Sequence, residues 1–347
     1  VSPYFAILAC VISLMITSYY IRNDFFYYLA FLLLTLFAGL RVDVGVDFES
    51  YDQMFSLIRM DAAPFSFEPL NILIINIINF LDLGNQFIFI AYSFFIMTGV
   101  IFFIKKLSPL KELSLLIFMM IGIFYLSTFN GIRQWAAISM SLFAITRLLE
   151  KKYFQTGFAL VSAILFHLSA IILLLLPLLL VRWRLKHVVA AIIVCLLFSN
   201  IFLYAIQNSQ YFLYLDAIRF DQTGNIFFIF FYLVFLLLSL ILFKYFSHSS
   251  NLSRTQVLLL NMNLASLFVL LLGVVMEIDF LTLMRVNSYF QVQLIVLIPM
   301  LLIEIRNCYL RVIGFFLCGT FCVSYFLYTL YSNGAAFQLV PYHMYGF

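Results

Sequence analysis

Phe25-Phe26-Tyr27-Tyr28-Leu29-Ala30-Phe31-Leu32-Leu33-Leu34-Thr35-Leu36-Phe37-Ala38-Gly39-Leu40 runs directly into Arg41-Val42-Asp43-Val44-Gly45-Val46-Asp47-Phe48-Glu49-Ser50-Tyr51. The first stretch is apolar over the length of a membrane-crossing helix. The second gathers an arginine, three carboxylates and a tyrosine where that helix must end. A charged side chain costs roughly 2.5–3.5 kcal/mol at the middle of a bilayer. A cluster of charges is therefore either a solvated loop that caps a helix or a polar site at the membrane surface.

Outward from this junction the chain is lipid-soluble. Hydrophobic residues make up 65%, charged residues 10%, and the mean hydropathy is +1.12. A soluble domain of 347 residues would not carry 43 Phe and 21 Tyr with so little charge. Apolar runs recur at 4–20, 25–41, 87–104, 113–129, 132–149, 153–168, 169–181, 188–206, 226–243, 257–275, 288–303 and 311–330. Period-2 alternation is absent, and every backbone group must be satisfied within lipid, so a helical bundle is expected over a barrel. The expectation is an all-α, polytopic membrane protein of about 12 spans, forming one domain over 1–347. The first run reads as a retained span and not a cleaved leader, since it has no basic n-region. The pair of runs around His167 is short and reads as a tilted or re-entrant hairpin. No internal repeat is visible, which argues against a transporter built from inverted halves.

The charges are sorted. Lys105, Lys106, Lys111, Lys151, Lys152, Lys186 and Lys244, every lysine in the chain, fall in loops on one side of this arrangement. Arg147, Arg182, Arg184, Arg254, Arg306 and Arg311 join them, making that side cytoplasmic by the positive-inside rule. The opposite face receives most of the carboxylates, with Arg41, Arg59, Arg133, Arg219 and Arg285 as its basic residues. Arginine offers a planar fork of donors matched to phosphate, whereas lysine is a point charge. The segment Glu68 to Asp82 is apolar but short, with Glu68, Asn71, Asn76, Asn79 and Asp82 at helical spacing. It reads as an interfacial amphipathic helix; were it to span, the Arg41–Tyr51 loop would become cytoplasmic. A net charge of +4 scattered over juxtamembrane loops is no nucleic-acid surface. Cys10, Cys195, Cys308, Cys318 and Cys322 show no ligand spacing and read as small apolar residues.

Further polar clusters interrupt the apolar runs on the same face. Phe129-Asn130-Gly131-Ile132-Arg133-Gln134 reads as a tight turn with a snorkelling arginine, or as part of a site. Phe166-His167-Leu168-Ser169-Ala170 places a histidine deep in an apolar run, as a hydrogen-bonded core residue or a functional one. Arg285-Val286-Asn287-Ser288-Tyr289-Phe290 enters the penultimate span.

Taken in order, these motifs resemble the EpsG-like family of bacterial exopolysaccharide and O-antigen polymerases, the Wzy class. The residues that carry the resemblance are Arg41, Gly45-Val46-Asp47-Phe48-Glu49-Ser50-Tyr51, Asn130-Gly131-Ile132-Arg133-Gln134-Trp135-Ala136-Ala137 and Phe166-His167-Leu168-Ser169-Ala170. Phe48 departs from the tyrosine usual there. The second half matches in hydropathy, in Arg285 with Tyr289-Phe290, and in the Pro341-Tyr342 ending. The resemblance implies a multispan fold akin to C-type membrane glycosyltransferases, in the bacterial inner membrane with the site facing the periplasm. It implies transfer of a growing glycan from undecaprenyl diphosphate onto the next lipid-linked repeat unit. Membrane lipid, a chain-length regulator and a flippase are the partners it suggests.

The residues suit that chemistry. A lipid diphosphate leaves with negative charge that fixed guanidinium groups stabilise; Arg41, Arg133 and Arg285 are the candidates, with Arg219. An attacking sugar hydroxyl benefits from a base, for which Asp47 and His167 lead and Asp43 follows. Tyr51, Glu68, Asn130, Gln134 and Tyr289 are candidate substrate ligands. No carboxylate or histidine spacing demands a metal, so neither metal nor other cofactor is expected. An O-antigen ligase or a lipid-linked oligosaccharide flippase is the alternative. The modest Gln207–Asn225 loop argues against the ligase, and the absence of repeats against the flippase.

Overall fold

The computed structural model describes residues 1–60, 62, 67–182, 193, 229–230, 233–235, 237–238, 252–275, 280–332, 334–335 and 337–346. The spans expected at 188–206 and 226–243, together with Arg219, lie largely or wholly outside them. What is described is mainly helical. Helix α1 is Ser2–Ile21, α2 Asp24–Gly39, α3 Phe48–Arg59, α4 Pro69–Phe80, α5 Asn85–Leu107, α6 Lys111–Met120, α7 Ile132–Leu149 and α8 Tyr153–Phe166. A 3₁₀ helix follows over Leu168–Leu180, then α9 (Arg254–Val275), α10 (Phe280–Gln291), α11 (Leu294–Glu304) and α12 (Cys308–Tyr331).

By length and composition, Ser2–Ile21, Asn85–Leu107, Arg254–Gly273 and Cys308–Tyr331 can each cross a membrane. The pair Leu283–Gln291 and Leu294–Glu304, bent by 43°, makes a fifth crossing if taken together. The protein is an all-α, membrane-embedded one. Helix boundaries show local logic: Asn23 accepts from the N–H of Phe25 at 2.9 Å to start α2, and Pro69 opens α4, where its missing N–H costs nothing. Where α5 crosses α7, a Cβ on Gly99 would lie 2.0 Å from Ser139 Oγ, so only glycine allows that approach.

Several expected spans take a different form. The run 113–129 is not one helix: α6 ends at Met120, and a 3₁₀ turn over Leu126–Phe129 completes the path. The run 288–303 begins earlier, so that Arg285 sits inside α10 and not in a preceding loop. The run 169–181 is a 3₁₀ helix whose buried residues are Ala170, Leu173, Leu176 and Leu179, every third position. That is the three-per-turn periodicity of this helix type. At a rise of about 2.0 Å its 13 residues extend about 26 Å, where an α-helix would reach about 20 Å.

Contacts sort the helix ends into two sets. At one end Lys105 binds Asp24 at 2.6 Å and Lys111 binds the same carboxylate; Ser18 donates to Glu112 at 3.1 Å. Lys106, Arg147 and Lys152 converge there on Glu150, whose carboxyl Lys152 and Arg147 hold down to about 2. Arg182 donates to the Leu252 carbonyl at 3.1 Å, which adds the ends of the 3₁₀ helix and α9. At the opposite end Gln86 donates to the Gly39 carbonyl at 2.5 Å and Arg41 to that of Phe129 at 2.9 Å. Since α2 arrives at that end and α5 departs from it, residues 40–84 begin and end on one side. With 12 residues, about 18 Å long, α4 does not cross. Its polar stripe is split: Asn71 is buried, while Asn76 and Asn79 are exposed.

The chain's end closes over the same region. His343–Met344 pairs antiparallel with Arg41–Val42. The Tyr342 ring stacks on Phe37 with centroids 4.2 Å apart, and its hydroxyl donates to the Phe37 carbonyl.

Candidate functional site

Arg41 anchors the region. It is 1% exposed, and its guanidinium donates to the carbonyls of Ala38, Val44 (3.2 Å) and Phe129 (2.9 Å). The rings of Phe129 and Phe89 lie 4.9 and 5.2 Å from its centre. Its donors meet the backbone, so Arg41 ties the 38–44 loop to the Phe129–Gly131 turn instead of presenting a fork to a ligand. Gly45 completes the junction with φ +99° and its N–H on the Gln338 carbonyl at 2.8 Å. A Cβ there would lie 2.7 Å from Asn130 Oδ1 and 2.9 Å from the Phe129 carbonyl oxygen. Asn130 Oδ1 is buried with no hydrogen-bond partner, an acceptor left open beside this turn.

The turn delivers Arg133 in the first turn of α7. No side chain caps that helix end, so its backbone N–H groups add a positive end to the guanidinium. Arg133 Nη1 is 2.7 Å from Glu68 Oε2, and the guanidinium lies 4.4 Å from the Phe67 ring and 5.8 Å from the Tyr51 ring. Its Nε is buried and has no hydrogen-bond partner. Glu68 is oriented in turn by Asn71 Nδ2 at 3.1 Å. Asn71 also donates to the Phe166 carbonyl at 2.9 Å and accepts from Tyr92 at 2.6 Å. Tyr92 sits about 10 Å into α5 from Asn85, so this network lies below the bundle's end.

Tyr51 is buried against Arg133. Burial pushes its phenol above the ordinary value, with Arg133 opposing, and the nearby Asp47 charge adds to the rise. The hydroxyl therefore stays protonated and available as a donor. Asp47 is half-buried at the start of α3, where its side chain makes no capping bond. Gln134 donates to the Arg285 carbonyl, which joins α7 to α10. His167 closes the far side, with Glu68, Arg133 and Arg285 the charges that act on it. Its Nδ1 is 2.7 Å from Ser169 Oγ, and Ser169 Oγ is 3.0 Å from Tyr289 Oη.

Arg133, Glu68, Tyr51, Asp47, His167, Gln134, Arg285 and Tyr289 are thus joined in one polar cluster, with Asn130 beside it. Asp43 is exposed, with a left-handed φ of 53°, and no hydrogen bond or ion pair among the described residues joins it to the group. Asn71, Tyr92 and Ser169 belong to the cluster but were not candidates from sequence. Ser169 had a signal in the quoted Phe166–Ala170 segment, and Asn71 in the polar stripe; Tyr92, a tyrosine within a span, had none. Among the described residues no three His, Cys, Asp or Glu side chains are placed to hold a metal ion.

Chemically, the cluster brings guanidinium groups suited to an anion together with carboxylates and neutral hydrogen-bonding groups. No curated protein and no solved structure gives a significant match to the chain. The family model for the EpsG family matches residues 24–344, which takes in every residue of the cluster. The chain belongs to the EpsG family, whose members are Wzy-like polymerases of polysaccharide biosynthesis.

Proposed function

We propose that this polymerase lengthens a glycan carried on undecaprenyl diphosphate by transferring it to the next lipid-linked repeat unit, at the periplasmic face of the bacterial inner membrane. The observation that carries the reading is Arg133: one nitrogen fixed by Glu68, and a buried Nε without a partner, at the uncapped positive end of α7. A diphosphate oxygen satisfies that nitrogen and the helix end together.

In this reading an acceptor sugar hydroxyl attacks the anomeric carbon of the carried glycan. The new C–O bond forms as the bond to the diphosphate breaks, and the electron pair leaves with the phosphate. Arg133 and Arg285 take up the developing charge without reorganisation. The hydroxyl proton passes to Asp47, which lies one helical turn from Tyr51 with no capping bond to its side chain. Tyr51 and Asn130 Oδ1 supply a donor and an acceptor to sugar hydroxyls. The lysine-rich opposite end supports the periplasmic placement by the positive-inside rule.

The test is the banding pattern of surface polysaccharide from a deletion strain. A single repeat unit attached where polymer normally stands is the expected result. Loss of every unit would point instead to a flippase or ligase.

A further inference from the structure

We infer that His167 works as a neutral imidazole that offers its Nε2–H to a diphosphate oxygen, held in that tautomer by Ser169 and Tyr289, and does not serve as the base. The inference rests on the glycan-transfer reading above and assigns the part of one residue within it.

The direction of the hydrogen bonds carries the argument. The backbone N–H of Ser169 meets His167 Nδ1 at 3.3 Å, and a backbone N–H only donates. Nδ1 is therefore an acceptor without a proton. Ser169 Oγ, 2.7 Å from the same nitrogen, must then donate its own proton to it. Its oxygen is left to accept from Tyr289, 3.0 Å away. The chain runs one way, from the Tyr289 hydroxyl through Ser169 to Nδ1. A neutral imidazole that accepts at Nδ1 carries its proton on Nε2.

The backbone enforces the arrangement. His167 is extended (φ −158°, ψ 122°) and caps the 3₁₀ helix that begins at Leu168, with its ring nitrogen in place of the oxygen of an ordinary capping residue. The positive end of that helix opposes a second proton on the ring. For His167 to act as a base through Nε2, the proton would have to sit on Nδ1, against both Ser169 donors. Tyr289 is 0% exposed, so its link to Ser169 is shielded from water. The charges that act on the imidazole are Glu68 ahead of α4, Arg133 from α7 and Arg285 from α10. The two guanidinium groups mark where a diphosphate goes, and Nε2–H is a third, uncharged donor to it. Ser169 and Tyr289 act only through His167 and are positioning residues.

Amide substitutions separate the alternatives. Asn places an acceptor near Nδ1 and keeps the cap, but has no group at Nε2. Gln carries a donor out to the Nε2 position. Turnover is measured on purified full-length protein in lipid nanodiscs, with lipid-diphosphate-linked repeat units as substrate. His167→Asn is expected to fold with unchanged melting temperature and to lose about 100-fold in turnover, the usual cost of one oxyanion donor. His167→Gln is expected to stay within about tenfold of wild type, at a folded level checked by size exclusion. Equal and near-complete loss in both folded variants would make His167 a base and overturn the inference. Near-normal turnover in His167→Asn would make it a cap and overturn it equally.

A pH series gives a readout that a purely structural role does not move. In the wild type, turnover should show no inflection in the ordinary histidine range. In Ser169→Ala combined with Tyr289→Phe, a new inflection in turnover should appear as pH falls, because without the Ser169 hydroxyl donor the ring takes a second proton more readily. Identical profiles would contradict the tautomer assignment. Absence of any polymer from wild-type protein would count against the glycan-transfer reading, and polymer made equally by His167→Asn against this inference alone.

Discussion

Arg133 Nη1 lies 2.7 Å from Glu68 Oε2, which fixes one side of a guanidinium whose buried Nε has no hydrogen-bond partner. The pair joins the first turn of α7 to the residue that precedes α4, two segments separated in sequence by the whole of α4, α5 and α6. We expect Glu68 to act as an orienting partner of Arg133, where the sequence reading makes it a substrate ligand.

Substitution of Glu68 tests that distinction. Glu68→Gln keeps a hydrogen-bond acceptor but removes the charge that holds the fork. We expect kcat to fall about tenfold with no rise in KM, because the anion site keeps its charge and loses its geometry. Initial rates over a range of lipid-linked units measure this. A raised KM at unchanged kcat would return Glu68 to the role of substrate ligand.

Arg41 and Arg133 should behave differently. Arg41→Lys cannot reach the Ala38, Val44 and Phe129 carbonyls together, and leaves buried acceptors unmet. A loss of about 3 kcal/mol in stability is expected, seen as a lower melting temperature in detergent and a lower protein level. Activity per folded molecule should fall much less than in any Arg133 variant.

Gly45→Ala should be harmful although it adds one methyl group. The backbone stands at φ +99°, and the new Cβ would meet Asn130 Oδ1 at 2.7 Å. A penalty of about 1–3 kcal/mol follows from forcing an L side chain into this conformation, and it should displace the Asn130 turn that leads to Arg133. Thermal melting and polymer length report the two effects.

Much of the cluster was legible because charge in a membrane chain is rare and placed. Arg133, Asp47 and His167 stood out as polar residues in apolar surroundings, and the structure brings them together. Arg41 stood out for the same reason, yet the sequence does not tell a guanidinium facing a ligand from one facing carbonyls. That depends on where the Phe129 backbone arrives, a contact across more than two intervening helices. The 3₁₀ form of Leu168–Leu180 was hidden, since a run of leucines carries no periodicity until packing selects every third one. Tyr342 and His343, which clasp the Arg41 strand, lie at the chain's far end, where no local pattern points to their partner. The short α4 was legible as non-spanning from its length, but Asn71, turned inward to Tyr92 and Phe166, was read with the exposed residues of its stripe.

Orientation is open to a direct labelling test. Ser50 and Lys151 are both exposed and lie at opposite ends of the bundle. With Cys10, Cys195, Cys308, Cys318 and Cys322 replaced, Ser50→Cys should react with an impermeant thiol reagent in cells with a permeabilised outer membrane. Lys151→Cys should react only after the inner membrane is opened. The reverse pattern would put the cluster on the cytoplasmic side and remove the proposed periplasmic reaction.

The most direct measurement of the central claim is polymer formation by Arg133→Lys in a purified assay with lipid-diphosphate-linked repeat units. Lysine keeps the positive charge but puts its donors on one nitrogen in place of a planar fork of three, so it cannot hold Glu68 and a diphosphate oxygen in the arginine's geometry. At unchanged protein level and melting temperature, turnover should fall by at least about 100-fold, on the order of 2.7 kcal/mol of transition-state stabilisation. Polymer of normal length made at near wild-type rate by the lysine variant would contradict the account and leave Arg133 as an anchor at the membrane edge.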